Sequence, residues 1–142
     1  MDIKTPYLVV DGIVIRDNEI LLVRRKKKQF EPFEGYWAVP GGFVERGERL
    51  KDGVVREILE ETGIKVTPGK IIGIYDDPKR DSRGHMVSVA FLCSPKGGRL
   101  KPQPEEVSDV RFFPVPEIRK LKIAFDHRKI IRDALKMQGR KP

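Results

Sequence analysis

Three glutamates, Glu57, Glu60 and Glu61, are spaced so that an α-helix would bring them to one side. The adjoining arc of the same helix is apolar and contains Val54, Val55, Ile58 and Leu59. Like charges one turn apart destabilise an isolated helix by about 0.2–0.5 kcal/mol per pair. The pattern alone is typical of a solvated acidic face, but carboxylates at the edge of a core also indicate a bound cation.

Oxygen ligands without a neighbouring histidine or cysteine favour a hard ion, Mg²⁺ first and Mn²⁺ second. The 142-residue chain has one cysteine, Cys93, and two histidines, His85 and His127. This composition excludes a disulfide framework, a multi-cysteine zinc site and a histidine-rich metal cage. The carboxylates are therefore the candidate metal ligands.

The acidic helix is predicted over residues 50–62, and Gly63 is placed to end it in a left-handed C-cap. Upstream, β-branched runs on both sides of a polar turn predict a β-hairpin over residues 7–26. Gly12, within its first strand, suggests a bulge or close packing. A loop over residues 27–36, a short strand at 37–39, a Pro40-Gly41-Gly42 turn and an extended piece at 43–44 complete the region before the helix.

Downstream of the acidic helix, the sequence predicts three strands and a final helix. The strands cover residues 70–75, 86–93 and 110–113, with a turn at 95–98 and a loop at 101–108. The final helix covers about residues 127–138, has Asp126 as its N-cap and buries Ile130, Ile131, Ala134 and Leu135. Strands outnumber helices, so the class is α/β with a mixed, partly antiparallel sheet. The length fits a single domain over residues 1–142.

Residues 42–64 read Gly-x5-Glu-x7-Arg-Glu-Ile-Leu-Glu-Glu-Thr-Gly-Ile. This segment resembles the signature of the Nudix hydrolases at every fixed position. The resemblance implies an α/β/α sandwich and an enzyme that cuts the pyrophosphate of a nucleoside diphosphate joined to another group. It also implies a divalent cation, which would neutralise the phosphates and activate water.

The resemblance implies roles for particular residues. The metal ligands would be the carbonyl of Gly41 and the carboxylates of Glu57, Glu60 and Glu61. Glu48 and Arg56 would form a buried pair that orients the helix. A surface pair of Arg56 with Asp52 or Glu60 is the alternative.

The general base of such an enzyme often lies outside the signature. Glu106, in the loop before the last predicted strand, falls where the family usually places this residue. Glu105 competes with it, and Glu57 or Glu61 could also serve. These alternatives stay open at the level of sequence.

The loop from Asp77 to His85 resembles that of Nudix enzymes which act on ADP-ribose. Pro78 lies 15 residues beyond Gly63, as in that subgroup, and residues 124–127, Ala-Phe-Asp-His, strengthen the likeness. The resemblance implies Mg²⁺-dependent cleavage of ADP-ribose to AMP and ribose 5-phosphate. The candidate substrate-binding residues are Arg24, Pro78, Arg80 and Arg83.

Other functions stay open. The signature also fits a MutT-type enzyme acting on nucleoside triphosphates or dinucleotides, and further alternatives are a non-catalytic nucleotide sensor and an RNA-end-processing module. The net charge of +8 could favour RNA, but residues 119–142 contain nine basic and two acidic residues, so the rest of the chain is nearly balanced. This distribution argues against a nucleic-acid partner.

Neither a membrane span nor a signal peptide is predicted, because no apolar run approaches 18 residues and the N-terminus has no basic segment followed by an apolar one. We therefore expect a cytoplasmic protein whose partner is a small nucleotide substrate. The Nudix resemblance also implies a homodimer.

Overall fold

The computed structural model describes residues 4–26 and 32–140. The predicted loop at 27–36 therefore lies partly outside the described residues, at 27–31. The elements are, in chain order, β1 (Tyr7–Arg16), β2 (Glu19–Arg25), β3 (Trp37–Ala38), β4 (Gly41–Phe43), α1 (Leu50–Thr62), β5 (Ile64–Tyr75), β6 (Met86–Gly98), β7 (Val107–Pro114), α2 (Val115–Ile118) and α3 (His127–Met137).

The strands form one mixed sheet with two arms. In the first arm, β1 pairs in parallel with β6 and antiparallel with β4, and β5 pairs antiparallel with β6. In the second arm, β2 pairs antiparallel with β3 and β7. The β1–β2 hairpin joins the arms through the pairs Ile15–Ile20 and Arg16–Glu19. The predicted mixed, partly antiparallel sheet is thus confirmed.

Helices cover both faces of the first arm, as an α/β/α sandwich requires. On one face, Val54 and Ile58 of α1 pack with Val10, Val14 and other apolar residues of the strands. On the other face, α3 packs against the two arms through Ile130, Ile131, Ala134 and Leu135, the four residues that the sequence predicts to be buried. No helix in the described part of the chain is long and apolar enough to cross a bilayer.

Gly12 lies where β1 passes under α1. It pairs with Phe91 in an uninterrupted register, so its role is close packing and not a bulge. A Cβ at this position would run into the Ile58 side chain and approach Val54 and Cys93 within 3.1 and 3.3 Å. The absence of a side chain therefore lets α1 approach the sheet.

The strands after α1 extend further than the sequence predicts. β5 begins at Ile64, directly after Gly63, and Ile64 pairs with Gly98, so the predicted turn at 95–98 is wrong. Pro95 is tolerated in β6 because the pairing with β1 ends at Cys93, and its missing N–H breaks no bond to β1. Gly63 has a φ of 79° and ends α1 as predicted.

Candidate active site

A cavity of about 330 Å³ opens between the two arms of the sheet, and it is called the cleft below. Its lining includes a set of glutamates, called the acidic set, and a set of basic and aromatic residues. The acidic set is Glu45, Glu57, Glu60, Glu61 and Glu106. The basic and aromatic set is Arg25, Lys26, Arg80, Arg83, Phe125 and His127.

Arg56 of α1 binds Glu57 and Glu60 of the acidic set, together with Glu48. Its guanidinium forms a bidentate pair with Glu48, in which Nε donates to Oε2 at 2.7 Å and Nη2 donates to Oε1 at 2.9 Å. The same group donates to Glu57 at 2.9 Å and to Glu60 at 3.3 Å. A further bond to the Phe43 carbonyl ties the loop after β4 to the helix. The predicted pair of Glu48 and Arg56 therefore forms but is only partly buried, and the alternative contact of Arg56 with Glu60 forms as well.

These hydrogen bonds set the charge state of the pair. The bond from Arg56 is the main reason that the pKa of Glu48 falls to about 2. The bond to Glu48 raises the pKa of Arg56 above its ordinary value. Both groups therefore stay charged across the neutral pH range.

Glu57 and Glu61 are carboxylates with incompletely balanced charge. Glu61 is buried and accepts a hydrogen bond from the Gly41 amide at 2.9 Å. Burial raises its pKa well above the ordinary value, and the charges of Glu57, Glu106 and Asp11 add to the rise. Burial also raises the pKa of Glu57, although Arg56 opposes the rise. A nearby cation would lower both pKa values again.

The donor chemistry at this place fits a hard divalent cation. Glu57, Glu60 and Glu61 offer carboxylate oxygens beside Gly41, and a Cβ at Gly42 would collide with the Glu57 carboxylate. Glycine at position 42 thus lets the loop pass close to the acidic set. In residues 4–26 and 32–140, no three acidic, histidine or cysteine side chains already form a closed metal site. Arg56 donates to only one oxygen of Glu57 and to one oxygen of Glu60, so each of these carboxylates has a second oxygen for an ion.

The structure separates Glu106 from Glu105, two of the four candidate bases, while Glu57 and Glu61 both line the cleft. Glu106 lines the cleft, and its charge is felt by Glu57 and Glu61. Its backbone is fixed by the Lys26 amide, which donates to the Glu106 carbonyl at 3.1 Å. Glu105 and Glu106 are both exposed, but Glu105 is absent from the lining that the structure describes.

The four candidate substrate-binding residues divide in the same way. Arg80 and Arg83 line the cleft, whereas Arg24 and Pro78 do not belong to its described lining. Arg24 donates to the Gly35 carbonyl at 3.2 Å on the outer side of β2. Its neighbour Arg25 lines the cleft instead, because successive side chains of a strand point to opposite faces.

Arg80 is part of a buried network and is not a solvated charge. Its Nε and Nη2 donate to the two carboxylate oxygens of Asp126 at 2.7 and 2.6 Å, and Nη1 donates to Ser88 Oγ at 2.7 Å. Asp126 occupies the N-cap position of α3, but its side chain caps no backbone amide. The prediction of a side-chain cap is therefore wrong, because Arg80 takes both carboxylate oxygens.

Phe125 lies between guanidinium groups at the wall of the cleft. Arg25 stands 4.8 Å and Arg83 5.1 Å from its ring centroid. Arg83 is also bound to Asp81, with Nη2 to Oδ2 at 2.7 Å. Phe125 has a φ of 53°, a left-handed conformation that is uncommon for a non-glycine residue and is enriched at functional sites.

Sequence reasoning missed several residues of the cleft, among them Asp11, Asp81, Ser88, Gln103 and His127. Asp11 is 3% exposed, and burial raises its pKa to about 7 although Arg80 and Ser88 oppose the rise. A signal for Asp11 exists in the sequence, since it is in phase with the apolar residues Ile13 and Ile15 of β1. A carboxylate in such an inward position needs an explanation.

Comparison with known proteins decides the family. The model of the NUDIX domain matches residues 6–134. The chain belongs to the NUDIX domain family. The Nudix signature at residues 42–64 is therefore genuine, and the chain is an enzyme of the Nudix hydrolase type.

One curated relative matches nearly the whole of this chain. The chain is 45% identical over 134 residues to an ADP-ribose pyrophosphatase of Methanocaldococcus jannaschii, covering 94% of this chain and 76% of that protein. It spans only about half the length of the next two curated relatives.

Two solved structures are also similar. The NUDIX domain of Shewanella oneidensis NrtR, solved with ADP ribose, has a TM-score of 0.82 and 28% identity, covering 96% of this chain and 90% of that one. A bifunctional NMN adenylyltransferase/ADP ribose pyrophosphatase from Francisella tularensis, solved with AMP and a manganese ion, has a TM-score of 0.83 and 28% identity, covering 96% and 43%.

His127 is held neutral in this Nudix fold. The Val39 amide donates to its Nδ1 at 3.0 Å, which places the proton of the neutral ring on Nε2. Burial is the main cause that lowers its pKa from 6.5 to about 3. Between these two pH values, His127 is protonated more often in the unfolded chain than in the folded chain. The contribution of His127 to stability is thus complete above pH 6.5 and is lost as the pH falls toward 3.

We predict that the free energy of unfolding falls more steeply from pH 6.5 to 3.5 in the wild type than in His127→Asn. The asparagine oxygen can accept the Val39 N–H but does not titrate. The difference should reach the order of a few kcal/mol, at about 1.4 kcal/mol per unit of pKa shift. Urea titrations at several pH values measure it, and parallel curves for the two proteins would show that His127 is not held neutral.

Proposed function

We propose that this Nudix enzyme hydrolyses the pyrophosphate of ADP-ribose to AMP and ribose 5-phosphate, with Mg²⁺ or Mn²⁺ as its cation. The observation that carries the proposal is one cleft in which the carboxylates of α1 face Arg25, Arg80 and Arg83. Carboxylates suit divalent cations, and guanidinium groups suit phosphate oxygens. The similarity to an ADP-ribose pyrophosphatase and to a domain that was solved with ADP ribose supports this substrate.

The cation would be held by Glu57, Glu60, Glu61 and the carbonyl of Gly41. When bound, it would neutralise phosphate oxygens and lower the pKa of a water molecule. Glu106 would accept the proton of the attacking water, since it lines the cleft close enough to Glu57 and Glu61 for their charges to interact. Arg56 would hold Glu57 and Glu60 in register through its bond to Glu48. Arg25 and Arg83 would contribute positive charge to an anionic substrate.

A cytoplasmic location and a homodimer stay predictions. Triphosphates and dinucleotides stay alternative substrates. A pure nucleotide sensor is disfavoured, because it would not need the complete set of carboxylates. An RNA-end-processing role is disfavoured because the excess positive charge is concentrated in residues 119–142.

The substrate is tested with a panel of ADP-ribose, nucleoside triphosphates and dinucleotides in Mg²⁺, with products separated by chromatography. We expect ADP-ribose to have the highest kcat/KM and to give AMP and ribose 5-phosphate in equal amounts. Glu61→Gln should lower kcat by about 100-fold or more, because it removes a charged cation ligand. Glu117→Gln, which alters only an exposed pair with Lys120, is the control. Release of pyrophosphate from triphosphates as the main activity would contradict the proposal.

The assignment of the general base is tested with adjacent glutamates. Glu106→Gln should lower kcat by roughly 10²–10⁴-fold with little change in KM, since it removes proton transfer and leaves binding intact. Glu105→Gln should stay within about twofold of the wild type, because this residue lies outside the described lining of the cleft. The kinetics are measured with ADP-ribose at saturating Mg²⁺. Equal effects of the two substitutions would rule out Glu106 as the base.

A further inference from the structure

Asp11 occupies a position of β1 where the neighbouring side chains on the same face are apolar. Val9, Asp11 and Ile13 share that face because side chains alternate along a strand. Ile13 belongs to the core under α3, whereas Val9 and Asp11 line the cleft. Asp11 is therefore a buried carboxylate in the floor of the cleft, and such a group is costly to bury without hydrogen-bond donors.

The carboxylate of Asp11 has hydrogen-bond partners for only part of its accepting capacity. Ser88 is hydrogen bonded to its side chain, and Arg80 attracts it. The nitrogens of Arg80, however, already donate to Ser88 and Asp126. Among the described residues, Oδ2 of Asp11 has no hydrogen-bond partner. One acceptor in the floor of the cleft therefore lacks a donor.

The backbone opposite Asp11 leaves space beside this carboxylate. Gly41 pairs with Asp11 across the β1–β4 ladder. A Cβ at Gly41 would run into the Val10 carbonyl and the Oδ1 atom of Asp11. The carboxylate of Asp11 can face the cleft here because its ladder partner has no side chain.

The charges around Asp11 restrict the donor that could bind. Asp11 lies close enough to Glu57 and Glu61 for their charges to interact. A phosphate oxygen would be repelled here and carries no proton to donate. A neutral hydroxyl group satisfies the acceptor without adding charge. In ADP-ribose, the groups that flank the diphosphate are two riboses, each with hydroxyl groups.

We infer that Asp11 is a specificity-determining residue that accepts a hydrogen bond from a ribose hydroxyl of the substrate. The inference rests on the proposed function, because that function supplies a ribose on each side of the diphosphate. Arg80 and Ser88 position the carboxylate for this contact. A site built around such an acceptor rejects a deoxy analogue, since the analogue leaves the acceptor unpaired.

The test compares ADP-ribose with two analogues, one lacking a hydroxyl on the adenosine ribose and one lacking a hydroxyl on the terminal ribose. In the wild type, kcat/KM should fall roughly 10- to 100-fold for one analogue, which identifies the ribose that Asp11 contacts. In Asp11→Ala this difference should shrink to about twofold. Asp11→Asn retains a carbonyl acceptor and should keep part of the discrimination. Glu117→Gln, outside the described lining of the cleft, is the control and should keep the wild-type ratio.

A merely structural role of Asp11 would lower kcat/KM for all three compounds alike, and this result would overturn the inference. Equal use of the three compounds by the wild type would overturn it as well. Calorimetric affinities of the compounds for Glu61→Gln, with and without Asp11→Ala, separate this inference from the proposed function. A deoxy penalty in affinity that disappears with Asp11→Ala supports the role of Asp11 even if the wild type releases no AMP. That absence of AMP would contradict the proposed function alone.

Discussion

The cleft depends on one shared guanidinium. The carboxylates of Glu57, Glu60 and Glu61 repel each other on α1, and burial of Glu57 and Glu61 increases the cost of their charge. Arg56 reduces that cost for Glu57 and Glu60 and is itself fixed by Glu48, so the loop after β4 and the helix are joined at the point of highest negative charge. This compensation is partial, because Glu61 relies on the Gly41 amide. The remaining negative charge is what makes the site suited to a divalent cation.

On the opposite wall of the cleft, a carboxylate compensates a buried guanidinium. Arg80 is buried between Asp126 and Ser88 and thereby connects the loop before β6 to the start of α3. This pairing fixes Phe125 and His127 on either side of Asp126, both in the lining of the cleft. Ion pairs thus tie loops from distant parts of the sequence to one cavity, while the apolar clusters hold the helices on the sheet. The net charge of +8 says little about this arrangement, since its excess lies in residues 119–142.

Local sequence signals predicted the helix at 50–62, its end at Gly63 and the β1–β2 hairpin, because each depends on neighbouring residues. They did not predict the start of β5 at Ile64, which depends on pairing with Gly98 on a strand far along the chain. The Nudix signature correctly grouped the α1 carboxylates with Glu48 and Arg56, because it covers the helix and the loop that precedes it. Arg25, and not Arg24, lines the cleft because alternate side chains of β2 share a face. The sequence does not show which of the two faces inward, because residues 24–28 are all basic. Asp11 was missed because its burial depends on residues far along the chain, among them its ladder partners Gly41 and Ala90.

The central claim is that the carboxylates of α1 hold a divalent cation for the cleavage of a diphosphate. The most direct measurement is anomalous diffraction from a crystal of the wild-type protein soaked with Mn²⁺ and ADP-ribose. The account predicts a manganese peak within about 2.0–2.3 Å of carboxylate oxygens of Glu57 and Glu61. It also predicts diphosphate oxygens bound to that ion and Arg56 still paired with Glu48. A substrate bound in the cleft with no manganese at these carboxylates would contradict the account.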